Sequence, residues 1–467
     1  MVTQLNQKSR HTIKVKFSQE NVTAFGGLVL AERLAARLGL WRKAAAALPG
    51  RDGVYDWLTI LKSVTAGLLS GAQGTYAAEE VREDAALLSL LGLEGAPEEA
   101  TVWRVQRELG MLQKSGTLPN LQSEWTRQIL RHVRRRDLLF HGFFPLFGDG
   151  TLLEGSTRRE GTKFIPEKGK GILWCTVFAG PLLAAQQVAA AGEGEETCIR
   201  RMLEPVLRDV VRPLRLHKNA LLLLDSLHGD GVTLDEAERL KLRYVVGANK
   251  LVLTETTLAQ QPEVVWQDTG ANAARGWSES GACVCWLQCE GWETKRTLVG
   301  RRFKREGDFI WEYAGVVTDL SEQDVRHVMG EGLSYAEAIW RLYNGKAGME
   351  SQYKDLLSDL GLHHPPCQAH VRNAGFYAVA SLAHTLGVAV DLIGGKSADR
   401  GSRERKDGED LRRAKSRRMR LWRLRRRLFA LPGRVAHHAR ELTVTLLGLS
   451  GRLRAEFDRF FLNVCRC

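Results

Sequence analysis

The sequence predicts an α/β protein: a mixed sheet flanked by helices, with a β-rich insertion and helical N- and C-terminal regions. Three observations carry this. Residues 138–147, 171–178, 182–188, 220–224 and 243–247 read as strands, with helical patterns over 195–214 and 233–240. The order is three strands, helix, strand, helix, strand. The run Ala220-Leu-Leu-Leu-Leu224 is apolar without alternation, as in a strand buried on both faces. From 250 to 333 the texture shifts to Val, Thr and Trp broken by glycines, which reads as further strands between the sheet and its last helix.

Residues 1–135 read mostly as helix, after a short alternating stretch at 11–17. Leucines recur at helical spacing in 26–40 and 56–69. Thr101 is a candidate N-cap for a helix that places Arg104 and Arg107 on one face. Such a helix is either a DNA recognition element or a capped helix with a charged outer face. Residues 136–249 and 334–394 are read as the sheet and its closing helices, with Gly180-Pro181 turning between two strands. Ser334-Tyr-Ala-Glu337 is a capping box and starts the late helix. That helix leads into Tyr343-Asn-Gly-Lys346-Ala-Gly-Met-Glu350-Ser-Gln-Tyr-Lys354. Steps of three, four and four put Tyr343, Lys346, Glu350 and Lys354 along one helical face. Gly345 and Gly348 predict a kink or break within that stripe. Taken alone, the stripe is also what a solvated face with i,i+4 ion pairs looks like.

Residues 374–393 are apolar but contain His384 and Asp391, which favours a buried core helix over a membrane span. Residues 395–467 are predicted to be a basic helical region that opens on a polar linker. Arg417 and Arg420 belong to a dense run of arginines over 411–431, interleaved with Leu421, Trp422 and Leu424. That pattern suits a solvated amphipathic helix, a nucleic-acid-contacting helix or a membrane-surface helix. Nucleic acid is preferred, because nothing else in the chain suggests a membrane.

The formal net charge of +13 and pI near 9.5 point the same way, towards a polyanionic partner. The polar N-terminus carries no secretory signal, so a cytoplasmic protein is expected. Eight cysteines in this length do not make a disulfide framework. Cys283, Cys285 and Cys289 cluster without a histidine or second cysteine pair to complete a zinc site, and are read as free thiols.

Three acids stand out by position. Asp149 follows the first apolar strand, Asp225 ends the Leu-rich strand, and Glu350 lies on the late helix. Ligand sites in open sheets gather at strand ends. Carboxylates are hard ligands that suit Mg²⁺ or Mn²⁺, and three of them can hold two ions about 3.5–4 Å apart for in-line phosphodiester chemistry. Asp230 rivals Asp225 for the second position. Asp225 is preferred because it directly follows the buried strand.

The motifs Phe147-Gly-Asp149-Gly-Thr151, Leu224-Asp225-Ser-Leu-His-Gly-Asp230 and Tyr343-x-x-Lys346-x-x-x-Glu350-x-x-x-Lys354 together resemble the DDE transposases of bacterial insertion sequences. Within these they resemble the group with a Tyr-Arg-Glu-Lys signature. The strand and helix order is similar to that family's RNase H-like core, and the β-rich insertion falls where the family has one. The likeness extends to Phe25-Gly-Gly27, to 373–386 and to 423–440. It implies that Asp149, Asp225 and Glu350 are catalytic metal ligands for two Mg²⁺ or Mn²⁺ ions, and that Tyr343, Lys346 and Lys354 grip the DNA near the scissile phosphate. Lys346 stands where the signature usually has Arg, and Lys354 follows Glu350 at a shorter interval than usual.

The resemblance further implies a cut-and-paste enzyme. It would bind terminal inverted repeats and target DNA as a homodimer, in the bacterial cytoplasm and associated with the nucleoid. Relatives that cut through a hairpin stack a flipped base on an aromatic ring, which makes Trp286, Trp292 and Trp311 candidates for stacking beside an ordinary core role. The alternatives are an RNase H-like nuclease or resolvase, and a catalytically decayed DNA-binding derivative.

Overall fold

The computed structural model describes residues 4–5, 13–14, 21–155, 159–165, 169–248, 252–289, 292–329, 332–396, 418–438 and 441–467. Five strands form the centre: β1 (Phe144–Glu154), β2 (Gly169–Ala179), β3 (Leu182–Val188), β4 (Ala220–Leu224) and β5 (Arg243–Gly247). They lie side by side as β3-β2-β1-β4-β5. Strands β1, β4 and β5 run parallel, whereas β2 is antiparallel to both β1 and β3. This is the RNase H-like arrangement that the sequence predicted. The apolar run of β4 is buried at every position, as its lack of alternation required.

The insertion strands continue the same sheet. Strands β6 (Trp277–Leu287), β7 (Arg296–Arg305) and β8 (Glu312–Thr318) form an antiparallel meander, and β8 hydrogen-bonds to β5. Strand β1 departs from the expected span. It starts six residues later and runs on to Glu154, because Leu138 ends a short helix and Phe140 and Phe143 form an isolated bridge. Asp149 therefore lies within the strand and not at its end.

Among the described residues, the short helix Arg135–Leu138 and seven longer helices precede the sheet: α1 (Val29–Arg37), α2 (Leu40–Ala47), α3 (Trp57–Ser70), α4 (Ala77–Arg82), α5 (Ala85–Leu91), α6 (Glu99–Lys114) and α7 (Thr117–Arg131). Glu98, not Thr101, occupies the N-cap of α6, so Thr101 sits inside the first turn. Helices α8 (Glu195–Val206) and α9 (Gly231–Arg239) flank the sheet. Helices α10 (Val252–Ala259) and α11 (Glu322–Met329) bracket the meander. The site helices are α12 (Tyr335–Asn344) and α13 (Met349–Lys354).

The apolar helix α14 (His370–Gly394) is long enough to cross a membrane, yet 94% of its most apolar window is buried inside the fold. It packs against α3, α6, α7 and β3. The buried Gln122 side chain ties three of these layers together, donating to Leu183 O at 2.6 Å and Thr385 Oγ1 at 2.8 Å. Such buried amide donors, paired across elements, fix one packing register, since leaving them unpaired costs about 1–3 kcal/mol.

The C-terminal region is not wholly helical. Beyond a short helical segment at Leu421–Leu424, β9 (Gly433–His438) and β10 (Glu441–Leu446) form a hairpin that also pairs with Val22–Thr23. Pro432-Gly433 ends the basic helix, and Leu442, Val444 and Leu446 then alternate with polar residues at the strand period. Helix α15 (Gly451–Arg466) closes the chain against α1 and α14.

Candidate active site

Strand register brings the first two acids together. Phe147 pairs with Leu223 at the end of the parallel β1–β4 ladder; two residues further on stand Asp149, still in β1, and Asp225, just past the end of β4. The segment Gly148-Asp149-Gly150 has glycines because α8 lies directly on it. A Cβ at Gly148 would fall 2.7 Å from Ile199 Cγ2, and one at Gly150 would fall 2.5 Å from the Glu195 carboxyl carbon. Ile199 and Glu195 are one helical turn apart, so one face of α8 seats both glycines.

The late helix supplies the third acid. Its capping box forms as predicted: Ser334 Oγ accepts from Glu337 N at 3.3 Å, and Ser334 N donates back to Glu337 at 3.0 Å. The expected break also forms, as a 3₁₀ turn over Gly345–Gly348 between α12 and α13. A side chain at Gly345 would collide with the Phe140 ring, so the bend is packed in place. Below the bend, Tyr353 reaches under the helix and donates to Asp149 O at 2.8 Å, while its hydroxyl also meets Thr176 Oγ1. This bond fixes α13 to the strand residue that bears the first acid.

The outcome is a cleft of about 570 Å³ lined by Asp149, Thr151, Tyr343, Asn344, Lys346, Glu350 and Lys354, with Tyr353 in its floor. The stripe and the first acid thus share one cavity, and Glu350 is exposed on its wall. Asp225 joins through Lys346, whose ammonium lies 3.4 Å from Asp225 Oδ2. Burial pushes the Asp149 carboxyl up to about 6. Lys346 opposes that shift, and the negative charges of Glu195 and Asp225 add to it. Burial likewise raises the Tyr343 phenol to about 12, with a further push from Asp225. Asp225 also caps the turn after β4, accepting from Leu227 N at 3.1 Å. Asp230 has both oxygens engaged by Thr233 as the cap of α9, the ordinary role of a helix-start aspartate.

Two residues of this neighbourhood had no role assigned from sequence. Glu195, at the start of α8, and His228, three residues after Asp225, place ligand atoms within 4.8 Å of one another and of Asp225. His228 lies inside a motif that drew attention for its acids. Glu195 carries no local signal, because only the packing of α8 on β1 brings it near.

The donor set suits a divalent cation. Asp149 and Glu350 line one cleft, Asp225 reaches it through Lys346, and carboxylates are hard oxygen donors. A metal ion held by Asp149 would have to displace its proton below about pH 6. Mn²⁺ affinity measured by calorimetry is therefore expected to fall about tenfold per unit as pH drops below that point. A pH-independent affinity between 5 and 7 would remove Asp149 from the ligand set.

The remaining predicted residues lie apart from the cleft. Arg104 and Arg107 are exposed on α6, with Arg104 donating to Glu98 at 3.3 Å. Arg417 lies outside the described residues. Arg420 is turned inward, bonded to Asp359 and to Lys354 O at 3.2 Å. Its charge holds the C-terminal segment onto the site helix and does not stand free for DNA. Among the tryptophans, Trp286 is 65% exposed and Trp292 is buried beneath Arg296. Trp311 lies between Arg302 and Lys304, each 4.4 Å from its ring centre. None of the three lines the cleft. The insertion meets the cleft wall through Arg275, which donates to Asn344 Oδ1 at 3.0 Å, and through Arg301 over Trp340.

No protein-family model and no curated relative matches the chain. Among solved structures, it is similar to the piggyBac transposase of a synaptic complex with hairpin DNA. The two are 11% identical, the TM-score is 0.38, and the match covers 95% of this chain and 88% of that one. A likeness of that degree assigns no role to any residue here.

Proposed function

We propose that the chain is a DDE-type DNA transposase of the cut-and-paste kind. It would bind the terminal repeats of its element, hydrolyse the element ends and join the freed 3′-OH ends to target DNA. The observation that supports this reading is the cleft that Asp149 shares with Glu350, Lys346, Tyr343 and Lys354, with Asp225 against Lys346. Divalent metal ions, when bound, activate the attacking oxygen and stabilise the leaving one.

The chain's own residues would do the rest. Asp149, Asp225 and Glu350 hold the cations. Lys346 and Lys354 meet the phosphate as point charges without the bidentate geometry of arginine. Tyr343, its phenol kept protonated by burial, donates a hydrogen bond to a phosphate oxygen. Two element ends must be cut and joined together, so the working unit is a homodimer on DNA.

The test is a duplex bearing the inverted repeats that flank the gene, incubated with the protein, a target plasmid and Mg²⁺. Cleavage at the repeat ends and a strand-transfer product are expected. Cleavage without joining would make the protein a nuclease or resolvase, and DNA binding with neither would make it a decayed derivative. End binding should weaken linearly on a log–log plot against salt, with a slope of about −0.9 per neutralised phosphate.

A further inference from the structure

We propose that Glu195 and His228 form a positioning pair that fixes the spacing of the Asp149 and Asp225 carboxylates. The proposal rests on the metal-site reading above. Glu195 opens α8 and its side chain is only 5% exposed. A carboxylate buried so deeply persists only where donors meet it. Two do, and both reach the same oxygen. Gly150 N donates to Glu195 Oε1 at 2.8 Å, and His228 Nε2 lies 3.0 Å from that atom.

Gly150 is the residue after Asp149, and its amide belongs to the strand that aims the first acid. His228 is fully buried in the turn after β4, and its Nε2 also stands 3.7 Å from Asp225 Oδ1. A single carboxylate oxygen is therefore the shared acceptor for groups attached to both acids. Since α8 also seats on Gly148 and Gly150, the helix sets the depth of β1 while Glu195 sets its lateral spacing from the turn that bears Asp225. Residues that hold metal-binding side chains in this way typically change metal affinity by 10–100-fold when removed.

The opposing view is a buried polar pair that only stabilises the fold, and the two make different predictions. Mn²⁺ affinity by calorimetry, end cleavage and melting temperature would be measured on the full chain for Glu195→Gln, Glu195→Ala, His228→Ala and Asp149→Asn. In Glu195→Gln the amide oxygen can still accept from both donors, so Mn²⁺ affinity should stay within about threefold of the parent. Glu195→Ala and His228→Ala should each weaken it about 10–100-fold.

Unchanged Mn²⁺ affinity in a folded Glu195→Ala or His228→Ala protein overturns the proposal. So does a Gln variant as weak as the Ala variant, which would mean that Glu195 acts by its charge on the metal itself. If Glu195→Ala does not fold, the contrast between His228→Ala and Glu195→Gln decides. Asp149→Asn reports separately on the underlying reading: if it leaves Mn²⁺ binding intact, the metal site is wrongly placed, whatever Glu195 does.

Discussion

Glu350→Gln is expected to lower Mg²⁺-dependent cleavage of repeat-ended DNA by at least about 10³-fold, or about 4 kcal/mol of transition-state stabilisation. The size of the effect separates two readings of the same residue. As one partner in an exposed helix-face ion pair with Lys346 or Lys354, Glu350 would contribute about 0.2–0.5 kcal/mol to stability and nothing to chemistry. As a metal ligand it is required at every turnover, and an amide cannot replace the negative charge. Because the side chain is exposed on the cleft wall, the substitution should leave stability within about 0.5 kcal/mol of the parent. DNA-end binding should persist, since Lys346 and Lys354 remain. Cleavage retained to within tenfold, measured by end-labelled product at saturating Mg²⁺, would return Glu350 to the solvated face.

What was legible in the sequence follows from which interactions are local. Strands β3, β4 and β5 lie at the predicted residues because each is a short apolar run bounded by a turn signal, and burial alone decides it. The capping box and the break at Gly345–Gly348 were equally plain, being properties of four or five adjacent residues. The start of β1 was misplaced because the aromatic residues at 140 and 143 are apolar without being in the ladder. The C-terminal hairpin was hidden behind its neighbour, a run of arginines so dense that it set the reading of the whole tail. Arg420 looked like a free cation because Asp359, its partner, is 61 residues away. Glu195 has no sequence signature for the same reason: its meaning depends on the contact of α8 with two strand glycines.

That long-range pairing also underlies the largest stability effect expected in the chain. Asp355 is fully buried in the π-helical turn Asp355–Asp359, which follows Lys354 directly. Burial pushes its carboxyl up to about 6, against the pull of the Arg418 guanidinium with which it forms an ion pair. It also lies 3.6 Å from Arg420 Nε and accepts from Leu421 N at 3.1 Å. One turn on, Asp359 accepts from Trp422 N at 3.0 Å. These two acids therefore cap the helical segment at Leu421–Leu424 and hold it against the end of the site helix.

Asp355→Ala would leave the half-buried Arg418 without its carboxylate and the Leu421 amide without an acceptor, a loss of about 3–5 kcal/mol. Asp355→Asn keeps an acceptor for that amide and should lose less. Urea denaturation gives the comparison. An alanine variant within about 1 kcal/mol of the parent would show that the C-terminal segment does not depend on this capping. The loss should also reach the cleft, because Arg420 donates to Lys354 O and thereby ties the end of the stripe to the same cluster. Cleavage by Asp355→Ala should fall at temperatures where the protein is still folded, whereas a purely global effect would leave the rate of the folded fraction unchanged.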